Sequence, residues 1–176
     1  MDTDVKGYVI PAIMVIVVAS AAYLIWADNQ NPPETDGVIP FGVTTGYRVK
    51  NVDLFDLNGQ AIRFSDYHGE ILIIDFMAPW CNPCKEQLKV LREVGETPGV
   101  SILSINVDPD YNTTYLNKLK ERERMSWPLS SSPEAAIEYK VTGIPLILLV
   151  DKEGVIRYRG YFTTLTHFEQ LIRNYG

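Results

Sequence analysis

The chain has 176 residues, of which 46% are apolar and 22% are charged. These values are typical of a globular protein, and they exclude a wholly disordered chain, a collagen and a protein made mainly of membrane spans. The net charge is −6, with 22 acidic against 16 basic residues, which disfavours a nucleic-acid partner because such a surface must neutralise phosphates.

The N-terminal segment 1–27 is predicted to be a membrane anchor. Residues 7–27 carry no formal charge, and roughly 20 apolar residues span a bilayer core. A cleaved signal peptide is the alternative, because Ala19, Ser20 and Ala21 form a small-residue cleavage pattern. The apolar run continues past that pattern and is longer than a signal core of ~7–15 residues, which favours an uncleaved transmembrane helix.

The charges around this span predict its orientation. Lys6 precedes it, whereas Asp28, Glu34 and Asp36 follow it before the next base, Arg48. Under the positive-inside rule the N-terminus lies in the cytoplasm. We therefore expect a single-pass protein of the cytoplasmic membrane whose remaining residues are extracytoplasmic.

Two further segments follow the anchor. Residues 28–47 are rich in Asn, Pro, Gly, Thr and acids and lack periodicity, which predicts a flexible linker. Residues 48–176 contain no repeat or low-complexity tract, and we expect them to form one domain.

The first half of this domain is predicted to begin with a β-hairpin. Residues 52–57 and 61–64 would pair across Asn58-Gly59, a strong turn signal. Residues 71–77 are apolar except for Asp75, as in a buried central strand. A helix is predicted over 83–94, with its proline near the first turn.

The second half continues the alternation of strands and helices. We predict a buried strand, two helices, a second hairpin and a last helix capped by Thr166, at residues 100–107, 113–124, 133–139, 146–150 with 155–161, and 166–175. This order is typical of an α/β protein whose sheet mixes parallel and antiparallel strands.

Cys81 and Cys84 carry the most informative chemistry in the chain. A dithiol at this spacing can close a ring reversibly when the first cysteine begins a helix, whose N-terminus stabilises a thiolate. The first thiol would then be exposed and attack, and the second would face inward and resolve the mixed disulfide. Half of a zinc site is the alternative, but the two histidines, His68 and His167, lack metal-ligand spacing, so we expect no metal.

Two stretches carry a family resemblance. Residues 74–85, Ile-Asp-Phe-Met-Ala-Pro-Trp-Cys-Asn-Pro-Cys-Lys, resemble the thioredoxin active site, and residues 141–145, Val-Thr-Gly-Ile-Pro, resemble the cis-proline loop of that family. The leading hairpin and the long segment 106–133 are similar to the membrane-anchored TlpA/ResA-like branch. The resemblance covers 48–176 and implies a thioredoxin-like α/β fold, a central mixed β-sheet flanked by helices, with an N-terminal β-hairpin and a preceding transmembrane helix.

The resemblance also implies roles for individual residues. Cys81 would be the attacking thiol and Cys84 the resolving thiol. Asp75 would be the buried carboxylate that takes a proton from Cys84, since burial raises the pKa of an acid. Pro145 would be the cis proline facing the dithiol. No cofactor is implied beyond the redox-active Cys81–Cys84 disulfide.

Substrate binding is implied at four further residues. The backbone of Ile144 would pair with a substrate chain as an extra strand. Trp80 would pack beside the dithiol and shape docking, although simple core packing is an alternative for this side chain. Asn82 and Pro83, between the two cysteines, would also contact the substrate.

Three residues depart from the family pattern. Met77 stands where thioredoxins usually have a second tryptophan, and Lys89 occupies the place of their helix proline. Gln87 stands where many TlpA-like proteins have an acid. The substrate preference of either branch is therefore not carried over to this chain.

Reduction of disulfides in extracytoplasmic proteins is the favoured function, because family members with proline before the second cysteine tend to reduce. Apocytochrome c is one candidate substrate, and a membrane thiol transporter is one candidate electron donor. A disulfide-forming oxidase or isomerase, and a non-catalytic binding module, remain alternatives. A peroxidase is disfavoured because that chemistry needs a threonine at the position of Ala78.

Overall fold

Nine strands and four α-helices make up residues 38–176, the part of the chain that the computed structural model describes. The α-helices are α1 (Asn82–Val94), α2 (Thr113–Arg122), α3 (Pro133–Glu138) and α4 (Leu165–Tyr175), and a 3-10 helix lies at Phe64–Tyr67. The strands are β1 (Phe41–Gly42), β2 (Arg48–Val49), β3 (Leu54–Phe55), β4 (Ala61–Ile62), β5 (Ile71–Met77), β6 (Val100–Asn106), β7 (Leu129–Ser131), β8 (Leu146–Val150) and β9 (Ile156–Gly160).

Five of these strands form the central sheet, in the order β7-β6-β5-β8-β9. β5, β6 and β7 run parallel, whereas β8 is antiparallel to β5 and β9 is antiparallel to β8. All seven residues of β5 are buried, which explains their nearly continuous apolar character. The predicted mixed sheet is thus confirmed, with β5 at its centre.

Successive side chains of β5 point to opposite faces of the sheet, so the strand contributes to an apolar layer on each face. Ile73 and Met77 pack in a cluster with Cys84, Leu88 of α1 and Phe168 of α4. The neighbouring residues of β5 face the other way, into a second cluster. This cluster includes Ala135 of α3 and Tyr139, the residue that follows α3. The helices therefore lie on both sides of the sheet.

The N-terminal hairpin is confirmed in a shorter form. β3 and β4 are antiparallel, with Leu54 opposite Ile62. In the turn, the Asp56 side chain accepts hydrogen bonds from the backbone N–H groups of Asn58 and Gln60. Gly59 has a φ of +82°, a conformation that favours glycine.

The linker prediction is wrong for residues 38–47, which belong to the folded unit. Gly46 N–H donates to the Ile156 carbonyl, and Ile156 N–H donates to the Tyr47 carbonyl, both within 2.9 Å. Arg48 N–H donates to the carbonyl of Pro40 at 2.9 Å. No periodicity in this segment indicates its structure, because these three bonds join backbone groups.

The structure also differs from the sequence prediction at the end of α2, at β7 and at the start of α4. The helix expected to reach Arg124 ends at Arg122, because Arg124 has a φ of +53° and the chain turns inward to bury Met125 and Trp127. The short strand β7 was not predicted. The last helix is capped by Thr164, whose side chain accepts the N–H of His167, and not by Thr166.

The predicted transmembrane segment, residues 7–27, lies outside the described residues and stays a prediction. Among the helices that the structure describes, none combines the length and the apolar character needed to cross a membrane.

We expect a fragment that starts at Val38 to be more stable than one that starts at Arg48, by about 2–4 kcal/mol, since at least three backbone hydrogen bonds worth about 1 kcal/mol each are lost in the shorter fragment. The free energies of unfolding in urea, measured on both fragments, check this. Identical values for the two fragments would show that residues 38–47 do not contribute to the fold.

Candidate active site

The two cysteines lie where β5 leads into α1. After Met77 the chain bends through Ala78 and Trp80, and Cys81 N–H donates to the Ala78 carbonyl at 3.1 Å. Cys81 is the N-cap residue of α1, and its Sγ accepts the N–H of Cys84 at 3.1 Å. The two sulfurs are joined in a disulfide.

The cysteines differ in their access to solvent. Cys81 keeps 3% of its surface exposed, whereas Cys84 is completely buried. Cys81 is less exposed than the sequence suggests, because it packs with Met77 and Ala78 in the apolar cluster beneath α1. Cys81 is therefore the more accessible residue of the pair, although it is itself nearly buried.

The N-terminus of α1 favours a thiolate at Cys81. The free N–H groups of the first turn and the helix dipole both stabilise negative charge at this point. Pro83 lies in the first turn, where its missing N–H does not interrupt the helix. Asn82 and Pro83 are both exposed, so they flank the dithiol on its solvent side.

Asp75 lies on β5 and is fully buried. It shares its sheet face with Ile73 and Met77, the face on which Cys84 and Leu88 pack, because strand residues two apart point the same way. Burial raises the pKa of Asp75 to about 7, and the hydrogen bond from Ser104 opposes this shift. A carboxyl group of this kind can gain and lose a proton near neutral pH.

Ser104 is a polar partner of Asp75 and Trp127 is a partner of Ser104, and neither contact was predicted from the sequence. The Ser104 hydroxyl donates to Asp75 Oδ2 at 2.9 Å, and the indole N–H of Trp127 donates to Ser104 Oγ at 2.9 Å. Ser104 lies opposite Asp75 on the neighbouring strand β6. The inter-strand register alone creates this contact, and no local motif around residue 104 or 127 indicates it.

The loop before β8 lies at the same end of the sheet as the dithiol. Leu146, the first residue of β8, pairs with Phe76 near the end of β5, so Pro145 is beside the start of the Cys81 bend. The peptide bond between Ile144 and Pro145 is cis. Pro145 is buried and Ile144 is partly exposed and packs against the cluster that contains both cysteines.

Trp80 is a surface residue, with 59% of its side chain exposed. The core-packing alternative is therefore excluded. Its indole N–H donates to Asp108 Oδ2 at 2.6 Å. The backbone carbonyl of Asp108 accepts a hydrogen bond from the buried side chain of Asn106, at the end of β6. The loop after β6 thus fixes the ring next to Cys81.

A further loop, between β9 and α4, carries two exposed aromatic residues, Tyr161 and Phe162. The Tyr161 ring lies close to Gly143 in the loop before Pro145. Gln87 of α1 is buried and holds this loop by two hydrogen bonds to the backbone of Thr163, at 2.7 and 3.0 Å. Gln87 is therefore a structural link between α1 and the β9–α4 loop.

The described residues contain no cluster of three or more histidine, cysteine or acidic side chains that could hold a metal ion. The donors at the site are two sulfurs bonded to each other and one buried carboxyl group. This set is suited to thiol–disulfide exchange, in which a thiolate attacks a disulfide sulfur.

Comparison with known proteins agrees with this chemistry. Residues 45–159 match the AhpC/TSA family. Thiol-disulfide oxidoreductase ResA of Geobacillus thermodenitrificans is 28% identical over 151 residues, which cover 82% of this chain and 81% of that protein. Methylamine utilization protein MauD of Paracoccus denitrificans is 26% identical over 147 residues, 82% of this chain and 72% of that protein. Thiol:disulfide interchange protein CycY of Rhizobium leguminosarum is 31% identical over 93 residues, about half of each chain.

Solved structures match the fold. The thioredoxin domain of a thiol-disulfide oxidoreductase from Bacteroides vulgatus superposes with a TM-score of 0.64 at 19% identity, covering 77% of this chain and all of that one. A thioredoxin-like protein from Aeropyrum pernix gives a TM-score of 0.61 at 22% identity, covering 70% and 89%. The thioredoxin-like fold predicted from the sequence is thus confirmed. The family match spans more than half of the chain, and the chain belongs to the AhpC/TSA family, as a thiol-disulfide oxidoreductase with a thioredoxin-like fold.

Proposed function

We propose that this protein is a membrane-anchored reductase of disulfides in extracytoplasmic proteins, acting through the Cys81–Cys84 pair. The observation that carries the proposal is the cysteine pair at the N-terminus of α1, in which Cys81 keeps a small exposed fraction and Cys84 keeps none. One thiol can attack a substrate there while the other stays shielded until a mixed disulfide has formed.

The first step is attack by the Cys81 thiolate on one sulfur of the substrate disulfide. A bond forms between Cys81 and that sulfur, and the other substrate sulfur leaves with the electron pair as a thiolate. Cys84 then attacks the Cys81 sulfur, the Cys81–Cys84 bond forms, and the first substrate sulfur leaves as a thiolate. Two electrons have passed from the protein to the substrate.

Asp75 serves the second step in this proposal. A buried thiol is a poor nucleophile until it loses its proton. The carboxylate of Asp75 takes that proton from Cys84, and the resulting Cys84 thiolate attacks Cys81. The pKa of Asp75, raised by burial to about 7, matches a proton acceptor that works near neutral pH.

Exposed groups around the dithiol form the proposed substrate-binding surface. Trp80, Asn82 and Pro83 lie on its solvent side, and the partly exposed Ile144 precedes Pro145. An extended substrate segment would pair with the backbone of Ile144 and lie against Trp80. Main-chain pairing of this kind recognises many sequences, because it uses groups that every polypeptide has.

The location in the cell is supported by the sequence alone. The uncharged run 7–27 is long enough for one membrane span, and its flanking charges favour a domain outside the cytoplasm. Each turnover leaves an oxidised Cys81–Cys84 pair, so an upstream electron donor must reduce it. A membrane thiol transporter is a candidate donor, and apocytochrome c with an oxidised cysteine pair is a candidate substrate.

The direction of electron flow is tested by the reduction potential of the Cys81–Cys84 pair. We expect a value near that of thioredoxin, about −270 mV, for a reductase. The measurement is equilibration of the fragment 38–176 with glutathione or dithiothreitol buffers. A value near about −120 mV would instead identify an oxidant that donates its disulfide.

The roles of the two thiols are tested by trapping. Cys84→Ser should accumulate mixed disulfides between Cys81 and partner proteins, because nothing resolves them, whereas Cys81→Ser should accumulate none. Non-reducing gels of membranes that carry each variant show the trapped species. The reverse pattern would exchange the two assignments.

The role of Asp75 is tested by the pH dependence of the second exchange step. In rapid-quench experiments with a disulfide-bonded peptide, we expect the resolution rate of the natural protein to rise as the pH passes about 7 and Asp75 becomes a carboxylate. Asp75→Asn should remove this rise and slow resolution about 10–100-fold near neutral pH, with little change in the first attack. Asp53→Asn is the matched control, since Asp53 is exposed.

Two results would contradict this assignment: equal slowing of both steps, or no slowing of either.

The stability of the Asp75→Asn variant as a function of pH gives a separate check. The pKa of Asp75 is higher in the folded than in the unfolded chain, so the natural protein loses stability as the pH rises from about 4 to about 7. The asparagine variant lacks this loss and should be the more stable protein at pH 8.

A further inference from the structure

Three buried side chains from separate elements form one hydrogen-bonded chain beneath α1. Trp127 Nε1 lies 2.9 Å from Ser104 Oγ, and Ser104 Oγ lies 2.9 Å from Asp75 Oδ2. Asp75 and Ser104 are completely buried and Trp127 is 7% exposed. The other carboxyl oxygen, Asp75 Oδ1, is buried without a hydrogen-bond partner among residues 38–176.

The direction of each hydrogen bond follows from the groups involved. An indole N–H can only donate, so Trp127 makes Ser104 Oγ an acceptor. The single hydrogen of the Ser104 hydroxyl is then left for Asp75 Oδ2. A proton on Oδ2 would either turn that hydrogen away and leave it buried without an acceptor, or make Oδ2 a weaker acceptor, and both outcomes are unfavourable. Oδ2 is therefore an acceptor whether Asp75 is charged or neutral.

We propose that Trp127 and Ser104 are positioning residues that keep Asp75 Oδ2 unprotonated and direct the proton to Oδ1. This inference rests on the proposed function, in which that proton comes from Cys84. The step moves one proton from the Cys84 sulfur to Oδ1 and leaves a thiolate and a neutral carboxylic acid, so no oxidant or reductant is involved.

Among the groups around Asp75 in the described structure, Ser104 is the one that forms a hydrogen bond with its carboxyl group. The residues opposite Asp75 are Ser104 on β6 and Ile147 on β8, and α1 contributes Cys84 and Leu88 to the cluster on that side. The titratable groups of that cluster in the described structure are Cys81 and Cys84, which titrate when reduced, and the partly buried Tyr111 and Tyr158. Burial raises the pKa of Asp75 and the Ser104 hydrogen bond lowers it, and no charged side chain of the described residues shifts it.

The first measurement is the infrared carbonyl band of protonated Asp75 in Ser104→Ala, in the full-length protein. If the proton is on Oδ1, the carbonyl oxygen is Oδ2, and loss of the serine hydrogen bond moves the band to higher frequency. Asp75→Asn identifies the band by removing it. A band that stays in place in Ser104→Ala would overturn the proposal, since the carbonyl oxygen would then be Oδ1.

The pH at which this band appears gives a second measurement. Ser104→Ala removes a hydrogen bond to the charged form, so the midpoint should move upward by about one pH unit. The resolution rate near pH 7 should fall roughly fivefold in step with it. Ser130→Ala is the matched control, because Ser130 is a buried serine on the next strand whose hydroxyl has no partner in the described structure.

Trp127→Phe keeps the Ser104 hydroxyl but removes the indole N–H that fixes its orientation. This variant tests the proposal even if Ser104→Ala does not fold. We expect a smaller upward shift of the midpoint in the same direction. An unchanged midpoint in both variants would overturn the proposal. A midpoint that moves while the resolution rate keeps its pH profile would support the role of Ser104 and overturn the catalytic role of Asp75.

Discussion

The burial of β5 between two strands and two apolar layers is the constraint on which the whole site depends. Its backbone is paired on one side with β6 and on the other with β8, so its C-terminal end cannot shift relative to either neighbour. This end passes directly into the bend that carries Cys81. The same two pairings bring Ser104 and Pro145 to the site, from β6 and from the start of β8.

Asp75 is a completely buried carboxyl group within this largely apolar surrounding, and it gives the site its chemistry. A carboxyl group in the interior is destabilised in its charged form, so Asp75 lies poised between two protonation states near neutral pH. A single hydroxyl group offsets part of this effect. Buried polar groups of this kind are sensitive to the loss of one partner, because the low local dielectric strengthens each remaining interaction.

The surface near the dithiol is assembled from loops that the core holds in place. Trp80 is fixed by Asp108, whose own loop is tied to the buried Asn106. On the other side, Gln87 ties α1 to the β9–α4 loop that carries Tyr161 and Phe162. Exposed aromatic rings held on rigid supports can dock a substrate with little loss of conformational freedom.

Local sequence determined the dithiol, the helix that begins at it, the buried strand before it and the proline loop, because each depends on residues close together in the chain. The sequence did not predict the structure of residues 38–47, because non-local backbone hydrogen bonds hold this segment. It did not predict β7, because this strand adds only three residues to the edge of the sheet. The contacts of Asp75 with Ser104 and of Ser104 with Trp127 join residues 29 and 23 positions apart. Only the tertiary structure could decide them, because they depend on the register between β5 and β6 and on the inward turn after α2, which no local pattern encodes.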